Sequence, residues 1–395
     1  MTERNDRGKE AAGASMNPPL QMVRLSDSRR CNAGCSYCPS RDFSIGRRLS
    51  LAELERVVDF FVAYTNGVRR KPRSLSFVFN TLGEMSLGTD NLIGLADHIE
   101  RVNGGGRCAV PVYLFLASTN LLDAPDGLVE FVNRYGYVTV SLHGRPAAEY
   151  APRIARFDER VTLEGTDVIP RHHMDLLERY GEILRHFHIA AMRPVREPPM
   201  TAADSALWVE EIAELTRRLD ALSDEALAGF LTRLSFGDTL LNALMLLDRG
   251  ARLHYRCHAG VSSLQVTPEM EFYPCMFLLH PDLRMGDIEH GLDLGWHGRF
   301  EALRRAGARP ECAACGILGV CGGPCLDWAR KDPTGDGFLS PTECLYRRGL
   351  FRTAAAFLER IKIRPRVIEA VRRHCGLGTR DRQPKAKGEG RCSEC

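Results

Sequence analysis

The sequence predicts an α/β protein, a partial (β/α)6 barrel followed by a small cysteine-rich C-terminal domain. Two observations predict the barrel. Short apolar runs alternate with segments of helical periodicity, which is the pattern of β/α units around a parallel sheet. Five or six such units occupy about 200 residues, fewer than the eight of a closed barrel. The second domain is predicted by residues 253–348, where cysteine, glycine and proline are dense.

The predicted strands share a high content of β-branched and aromatic residues. They are 22–25, 74–79, 112–117, 137–142, 161–165 and 188–192. The predicted barrel helices have apolar residues at helical spacing and are 51–65, 89–102 and 173–187. The same spacing continues over 204–249 and 349–374, which predicts further helices after the barrel and after the cysteine-rich region.

Composition divides the chain into four expected segments. These are a disordered polar N-terminus (1–19), the barrel (20–235), the cysteine-rich domain with its leading helix (236–350), and a C-terminal helix with a flexible tail (351–395).

Charge and hydropathy predict a cytoplasmic protein. With 53 basic and 50 acidic residues the net charge is +3, which gives no reason to expect nucleic-acid binding. The N-terminus lacks the apolar core of a signal peptide, and no run approaches the roughly 20 apolar residues of a membrane span. Cytosolic thiols stay reduced, so most of the fourteen cysteines are expected to bind metal or iron–sulfur clusters. Cys108 and Cys375 fit the alternative of small buried residues.

Three cysteines lie in the loop after the first predicted strand. Cys31, Cys35 and Cys38 have the spacing C-x3-C-x2-C. In parallel α/β folds ligands bind beyond the carboxyl ends of the strands, where this loop lies. Three thiolates suit a 4Fe–4S cluster in which one iron has no protein ligand. A zinc site completed by a distant residue is the alternative.

With Tyr37 at its aromatic position, this motif resembles that of the radical S-adenosylmethionine (radical SAM) superfamily. The resemblance implies that SAM binds the open iron through its amino and carboxylate groups. It also implies reductive cleavage of SAM to a 5′-deoxyadenosyl radical, which abstracts hydrogen from a substrate. Tyr37 would lie near the adenine.

The resemblance extends to other positions that would contact SAM. Gly83 and Glu84 match a Gly-Gly-Glu run that binds the SAM amino group, although Leu82 replaces the first glycine. Ser141 matches a serine near the ribose or carboxylate, and Arg156 would reach the carboxylate, with Arg153 as a competitor. The strand-end residues His143 and Arg193 are further candidates to face substrate or SAM.

Seven more cysteines resemble the SPASM extension, a module that binds auxiliary 4Fe–4S clusters in some radical SAM enzymes. They are Cys257, Cys275, Cys312, Cys315, Cys321, Cys325 and Cys344. The resemblance assigns one auxiliary cluster to the set Cys257, Cys275 and Cys325. It assigns the other to the set Cys312, Cys315, Cys321 and Cys344, so that with the SAM cluster the chain would hold three 4Fe–4S clusters.

Two departures from the SPASM pattern affect the first auxiliary set. Ala251 stands where some members supply a fourth cysteine, so this cluster would have an open iron or a ligand from elsewhere. Cys392 or Cys395, in a tail expected to be disordered, is one candidate for that ligand. Met270 stands where the family usually has glycine.

The stretch 255–275 most resembles the peptide-maturase branch. This implies an oxidoreductase that crosslinks or oxidises residues of a peptide in ribosomal peptide natural-product (RiPP) maturation. Sulfatase maturases have aspartate where this chain has Met276, so formylglycine formation is not expected. Few residues precede Cys31, so we expect a separate peptide-recognition protein or direct binding in the barrel. A flavodoxin or ferredoxin would supply electrons.

Two other functions remain open at this point. The same module occurs in enzymes that oxidise or epimerise small aminocyclitols and sugars. A non-catalytic iron–sulfur electron carrier would use the same cysteines, but it would not need Tyr37, Gly83 and Glu84 around the open-iron motif.

Overall fold

The computed structural model describes residues 18–35, 38, 46–79, 82–142, 145–167, 187–191, 201–235, 238–305 and 307–376. Within these residues the predicted α/β class, with a parallel sheet core and a cysteine-rich C-terminal region, is confirmed. No helix in these ranges is both long and apolar enough to cross a bilayer.

Six parallel strands form the barrel core. They are β1 (Met22–Leu25), β2 (Leu75–Phe79), β3 (Val112–Leu116), β4 (Tyr137–Ser141), β5 (Thr162–Asp167) and β6 (Phe187–Ala191). The sheets β1-β2-β3 and β4-β5-β6 each follow chain order. The amide of Thr119 donates to the carbonyl of Thr139 at 2.9 Å, and the amide of Ser141 donates to that of Thr119 at 2.8 Å. This bridge joins the two sheets into one curved, open barrel.

Amphipathic helices cover the barrel strands. They are α1 (Leu51–Gly67), α2 (Thr89–Gly104), α3 (Asp126–Tyr135) and α4 (Ala147–Ile154). Helix α1 begins with a capping box, in which the Ser50 side chain accepts the Glu53 amide and the Ser50 amide donates to the Glu53 carboxylate at 2.8 Å. Its buried face places Leu54, Val58 and Phe61 in the core beside the strands.

The cysteine-rich region extends the barrel sheet. Its strands are β7 (Ser263–Val266), β8 (Glu271–Tyr273), β9 (Gly286–Asp287) and β10 (Gly291–Leu292). Strand β7 pairs in parallel with β1, which gives the sheet order β10-β9-β8-β7-β1-β2-β3. This pairing fixes the auxiliary region directly beside the strand that leads into the first cysteine loop.

Met270 occupies the turn between β7 and β8 with a φ of +61°. Left-handed backbone favours glycine because a Cβ atom is strained there, which accounts for the glycine that the family pattern has at this position. The Met270 side chain is 5% exposed and belongs to the barrel core. Its burial offsets the backbone strain.

The remaining helices follow the barrel. They are α5 (Ala202–Asp220), α6 (Asp224–Leu231), α7 (Thr239–Asp248), α8 (Leu294–Arg304), α9 (Pro310–Ala313), α10 (Leu318–Cys321), α11 (Leu326–Lys331), α12 (Pro341–Lys362) and α13 (Pro365–His374). Helices α5, α6, α7, α12 and α13 share one hydrophobic core. A Cβ atom on Gly349 would lie 2.3 Å from the Val209 side chain, so α5 and α12 are in close contact there. The four-segment division of the chain stays a prediction.

Candidate functional site

The loop that carries the first cysteines is anchored where it leaves β1. The Asp27 carboxylate is fully buried and accepts from Asn91 Nδ2 at 2.9 Å and from Arg48 Nε at 3.2 Å. The Asp27 carbonyl accepts the Leu49 amide at 2.8 Å. A buried carboxylate with these partners fixes the start of the loop between the segment before α1 and the start of α2.

The loop after β2 lies directly on the backbone that precedes Cys31. The Glu84 amide donates to the Arg30 carbonyl at 2.8 Å. A Cβ atom on Gly83 would lie 2.7 Å from that carbonyl oxygen and 2.9 Å from the Ser28 carbonyl oxygen. Only glycine permits this approach, so Gly83 and the Glu84 backbone position the cysteine loop. Their predicted contact with the SAM amino group stays a prediction.

The Glu84 side chain joins the ends of β2 and β3. It is 3% exposed and accepts the Asn120 amide at 2.8 Å, the Ser86 amide at 3.0 Å and the Thr119 hydroxyl. With these donors the carboxylate is held in one orientation beneath the cysteine loop.

Asn120 contacts the cysteine loop and was not among the predicted site residues. Its Nδ2 donates to Asn32 Oδ1 at 2.8 Å and lies 3.8 Å from Cys31 Sγ. The next residue, Leu121, has a φ of +49°, which is uncommon for a residue with a Cβ atom. The sequence feature that could have indicated this contact is the polar pair Thr119 and Asn120, which comes directly after an apolar strand.

The thiols of Cys31, Cys35 and Cys38 interact with one another at this loop. Cys31 lies at the surface, but the protein beneath it desolvates the thiol and raises its pKa. The amide of Ala33, 3.4 Å from Cys31 Sγ, opposes this rise, whereas the Glu84 carboxylate and the other two thiols add to it. A cation bound at this loop would therefore find a concentration of negative charge once the thiols ionise.

Other predicted contacts with SAM have the following positions. Ser141 ends β4 beside Thr119. Arg156 donates to the Ala124 carbonyl and pairs with the Asp126 carboxylate at the start of α3. The roles of Ser141 and Arg156 stay predictions. Tyr37, His143 and Arg193 lie outside the described residues, as do Cys392 and Cys395.

A second group brings together Cys257, Cys275 and Cys325, whose thiols interact with one another. Arg304 Nη2 donates to Cys257 Sγ at 3.1 Å, and its Nη1 donates to the Ala259 carbonyl. Burial raises the pKa of Cys257, but the Arg304 charge, the Arg304 hydrogen bond and a hydrogen bond from the Ala259 backbone together hold this pKa below its ordinary value. Burial raises the pKa of Cys275 to about 12.

A third group brings together the thiols of Cys312, Cys315, Cys321 and Cys344. Arg347 Nε donates to Cys321 Sγ at 3.1 Å, and Arg348 donates to the Cys315 side chain. Burial raises the pKa of Cys344 to about 11. The second and third groups thus each have arginine hydrogen bonds to sulfur, which stabilise thiolates.

A buried ion pair joins these two groups. Arg256, next to Cys257, pairs with Glu343, next to Cys344, and the two side chains are 18% and 0% exposed. The other Glu343 oxygen accepts the Cys325 amide at 2.9 Å. A Cβ atom on Gly322 would lie 2.6 Å from the Arg256 amide nitrogen, so the backbones of the two groups also touch.

The three groups fit iron–sulfur clusters by the chemistry of their donors. No disulfide joins any of the described cysteines. In the same part of the chain no three His, Cys, Asp or Glu side chains converge on a position for a single metal ion. Ligands of a 4Fe–4S cluster need not converge on one point, because each thiolate binds a different iron. Arginine contacts to the sulfurs are one of the means by which proteins tune such clusters.

Replacing Arg304 with glutamine is expected to lower the reduction potential of the cluster that we expect Cys257, Cys275 and Cys325 to hold. Loss of the positive charge at 3.1 Å from Cys257 Sγ disfavours the added electron. A tenfold change in the one-electron equilibrium corresponds to about 59 mV, and we expect a decrease of roughly that size, measured by EPR redox titration. The matched control is the exposed neighbour Arg305→Gln. An unchanged reduction potential in the Arg304 variant would show that the Arg304 charge does not influence the cluster.

Replacing Gly83 with alanine is expected to displace the first cysteine loop. The added Cβ would meet two backbone oxygens of that loop at 2.9 Å or less. We expect a loss of about 1–3 kcal/mol in unfolding free energy, measured by urea denaturation, together with reduced iron binding at this loop. Gly67→Ala is the control, since no atom lies within 4 Å of its Cβ position. Equal stabilities of the two variants would refute the close approach.

The comparisons with known proteins bear on the fold. A scan against protein-family models and a search of curated proteins gave no match. Among solved structures, native anSMEcpe with bound AdoMet and Kp18Cys peptide is 17% identical with a TM-score of 0.67, and the match covers 88% of this chain and 100% of that one. Streptococcus suis SuiB bound to its precursor peptide SuiA is 16% identical with a TM-score of 0.52, covering 82% and 76%. SuiB bound to S-adenosylmethionine is 14% identical with a TM-score of 0.50, covering 83% and 77%.

These similarities establish the fold. The first structure is a radical SAM enzyme with a SPASM domain, and SuiB is a radical SAM enzyme of RiPP maturation. The fold expected from the two cysteine motifs is therefore confirmed.

Proposed function

We propose that this chain, which has the fold of the radical SAM enzymes with a SPASM domain, is a radical SAM oxidoreductase that oxidatively modifies a peptide. The observation that carries the proposal is the first cysteine loop. Its three thiols lie at the carboxyl end of β1, held by Gly83, Glu84 and Asn120.

The three cysteine groups would hold the cofactors. Cys31, Cys35 and Cys38 would hold the cluster that binds SAM, and the second and third groups would hold auxiliary clusters. When bound, the first cluster supplies the electron that cleaves SAM to a 5′-deoxyadenosyl radical, and the auxiliary clusters can accept an electron from the substrate. Tyr37, Gly83, Glu84, Ser141 and Arg156 are the proposed SAM contacts.

The chain's own residues hold the loop rigid. Asp27 anchors its start through Asn91 and Arg48. The Glu84 side chain joins β2 to β3, and Asn120 reaches from β3 to the loop. Support from three neighbouring strands suits a site where a reactive ligand must be positioned within fractions of an ångström.

Peptide chemistry is supported by the ligands of the similar folds. One of those structures holds the Kp18Cys peptide and another the precursor peptide SuiA. We propose a peptide substrate here too, with crosslinking or residue oxidation in RiPP maturation as the reaction. A separate recognition protein, an electron donor of the flavodoxin or ferredoxin type and a cytoplasmic location complete the proposal.

The test is formation of 5′-deoxyadenosine. Protein reconstituted with iron and sulfide under anaerobic conditions is incubated with SAM and dithionite, and the products are separated by liquid chromatography. We expect 5′-deoxyadenosine and methionine in equal amounts. A protein with full iron content that produces neither would be an electron carrier, and the enzyme assignment would be wrong.

The substrate class is tested in the same assay with candidate precursor peptides. We expect the correct peptide to stimulate 5′-deoxyadenosine formation and to lose two hydrogens by mass spectrometry. Stimulation by an aminocyclitol or sugar, with none by peptides, would support the small-molecule alternative instead.

A further inference from the structure

An exposed groove lies beside the third cysteine group. It has a volume of about 860 Å³ and is lined by parts of 247–252, 314–320 and 348–355. Cys315 forms part of its wall. We call it the arginine groove, after the exposed side chains of Arg252, Arg348 and Arg352 that line it.

The arginine groove carries positive charge that no carboxylate among its described lining residues balances. No aspartate or glutamate is among its lining residues. Within the described ranges, none of its three arginines pairs with a carboxylate, and Arg348 donates to the Cys315 side chain instead. Three exposed guanidinium groups around one groove create a local positive field.

Three arginines elsewhere on the same helical unit pair with carboxylates. Arg360 pairs with Asp220 at 2.5 Å, Arg364 with Asp224 at 2.6 Å and Arg372 with Asp248 at 2.8 Å. The chain as a whole is nearly neutral, with a net charge of +3. The groove thus gathers three arginines without a carboxylate partner among the described residues at one place on a chain that is nearly neutral overall.

Part of the lining of the arginine groove consists of small residues. Ala251, Ala314, Gly316 and Gly319 contribute little side chain, so a partner's surface can come near the backbone around Cys315. Cys315 belongs to the third group of thiols, so a cluster bound there would lie at the edge of the groove. Charged encounters with a small contact area are typical of electron-transfer complexes.

We propose that the arginine groove docks an acidic one-electron carrier protein, which exchanges electrons with the cluster on Cys312, Cys315, Cys321 and Cys344. This inference rests on the proposed function, since it needs that cluster. In the direction to be measured, the reduced cluster loses one electron. The flavin of an oxidised flavodoxin gains it and takes one proton from solvent to become the neutral semiquinone.

Two other occupants fit less well. The chain's own residues 377–395 carry five basic and three acidic residues, so they do not complement a positive groove. The peptide substrate must meet the first cysteine loop at the ends of the barrel strands, whereas no residue of β1 to β6 lines the groove.

The experiment uses a flavodoxin of net negative charge and a double charge reversal, Arg252→Glu with Arg352→Glu. Arg348 is left unchanged because it contacts Cys315. The control is Arg69→Glu with Arg70→Glu, which changes the net charge equally at two exposed arginines after α1. All are made in a Cys35→Ala background, so that only auxiliary clusters give electrons to the flavin.

Stopped-flow absorbance then follows semiquinone formation after dithionite-reduced protein, freed of excess dithionite, is mixed with oxidised flavodoxin. At low ionic strength we expect the second-order rate constant to fall roughly tenfold or more in the groove variant and by less than about twofold in the control. Added salt should lower the rate constant of the parent protein and remove most of the difference in rate constant between the parent and the groove variant. Equal rates for the groove variant and its parent, or an equal loss in the control, would overturn the proposal.

A second measurement separates this proposal from the proposed function. The two double variants with Cys35 intact are assayed for 5′-deoxyadenosine with dithionite as the reductant. We expect both to match the wild type, because a small reductant needs no docking site. If none of these proteins formed 5′-deoxyadenosine, the proposed function would be refuted but the docking proposal would not. Loss of peptide-stimulated product in the groove variant, with flavodoxin rates unchanged, would assign the groove to the substrate and overturn docking.

Discussion

Replacing Cys35 with alanine is expected to abolish 5′-deoxyadenosine formation and to remove about four of roughly twelve irons. Cys35 lies between Cys31 and Cys38 in the loop after β1, and these three thiols are the only ligands we assign to the first cluster. With two left, the cluster would lack the support to survive reconstitution. Iron analysis and the SAM cleavage assay with dithionite measure both effects.

The auxiliary clusters should survive the Cys35 change, because their cysteines lie on other segments. The EPR signals of the second and third groups should therefore remain. The control is Cys108→Ala, a half-buried cysteine outside all three groups, which should keep full iron and activity. If the Cys35 variant still cleaved SAM at the wild-type rate, the first cysteine loop would not be the site of this chemistry.

Replacing Glu343 with alanine is expected to destabilise the whole cysteine-rich region. The change leaves Arg256 buried without its partner and the Cys325 amide without its acceptor. Breaking a buried ion pair by removing one partner costs about 3–5 kcal/mol. Because the pair joins the second and third cysteine groups, we expect both auxiliary clusters to be lost, while the first remains.

Two further variants isolate the cause. Glu343→Gln removes the charge but keeps an oxygen for the Cys325 amide, so its effect should be intermediate. Glu359→Ala removes an exposed glutamate of the same helix, 72% exposed and paired with Lys362, and should change stability by less than about 0.5 kcal/mol. Thermal unfolding and iron content check each variant. Full iron content in Glu343→Ala would refute the idea that this pair holds the two groups together.

The sequence predicted the barrel strands well because each buried strand is marked locally by a short apolar run. Strands expected at 22–25 and 112–117 are observed at Met22–Leu25 and Val112–Leu116. Helices α3 and α4 were not predicted, since they have only 10 and 8 residues and α4 contains Pro152. The predicted helix at 173–187 lies almost entirely outside the described residues.

The site was predictable where the spacing of cysteines along the chain indicates the chemistry. It was less predictable where the fold brings distant residues together. The motif at Cys31 locates one loop without any structure. Asn120 reaches this loop only because β3 lies two strands from β1, and no local pattern gives that distance. The Arg256 and Glu343 pair likewise joins segments far apart in the chain.

The departure at Met270 was visible in the sequence, but its cause was not. A left-handed backbone with a buried side chain requires both the turn geometry and the core beside it. Conversely, the division of the seven cysteines into two expected sets of cluster ligands depended on a resemblance, because spacing alone permits other sets. These ligand assignments stay a prediction.

The central claim is that SAM binds an iron left open by Cys31, Cys35 and Cys38. Electron–nuclear double resonance on the reduced protein tests this most directly, with SAM labelled by ¹⁵N in its amino group and ¹⁷O in its carboxylate. We expect hyperfine coupling of both labels to the cluster in the wild type and none in Cys35→Ala. A wild-type cluster that shows no coupling to either label, at saturating SAM, would contradict the claim.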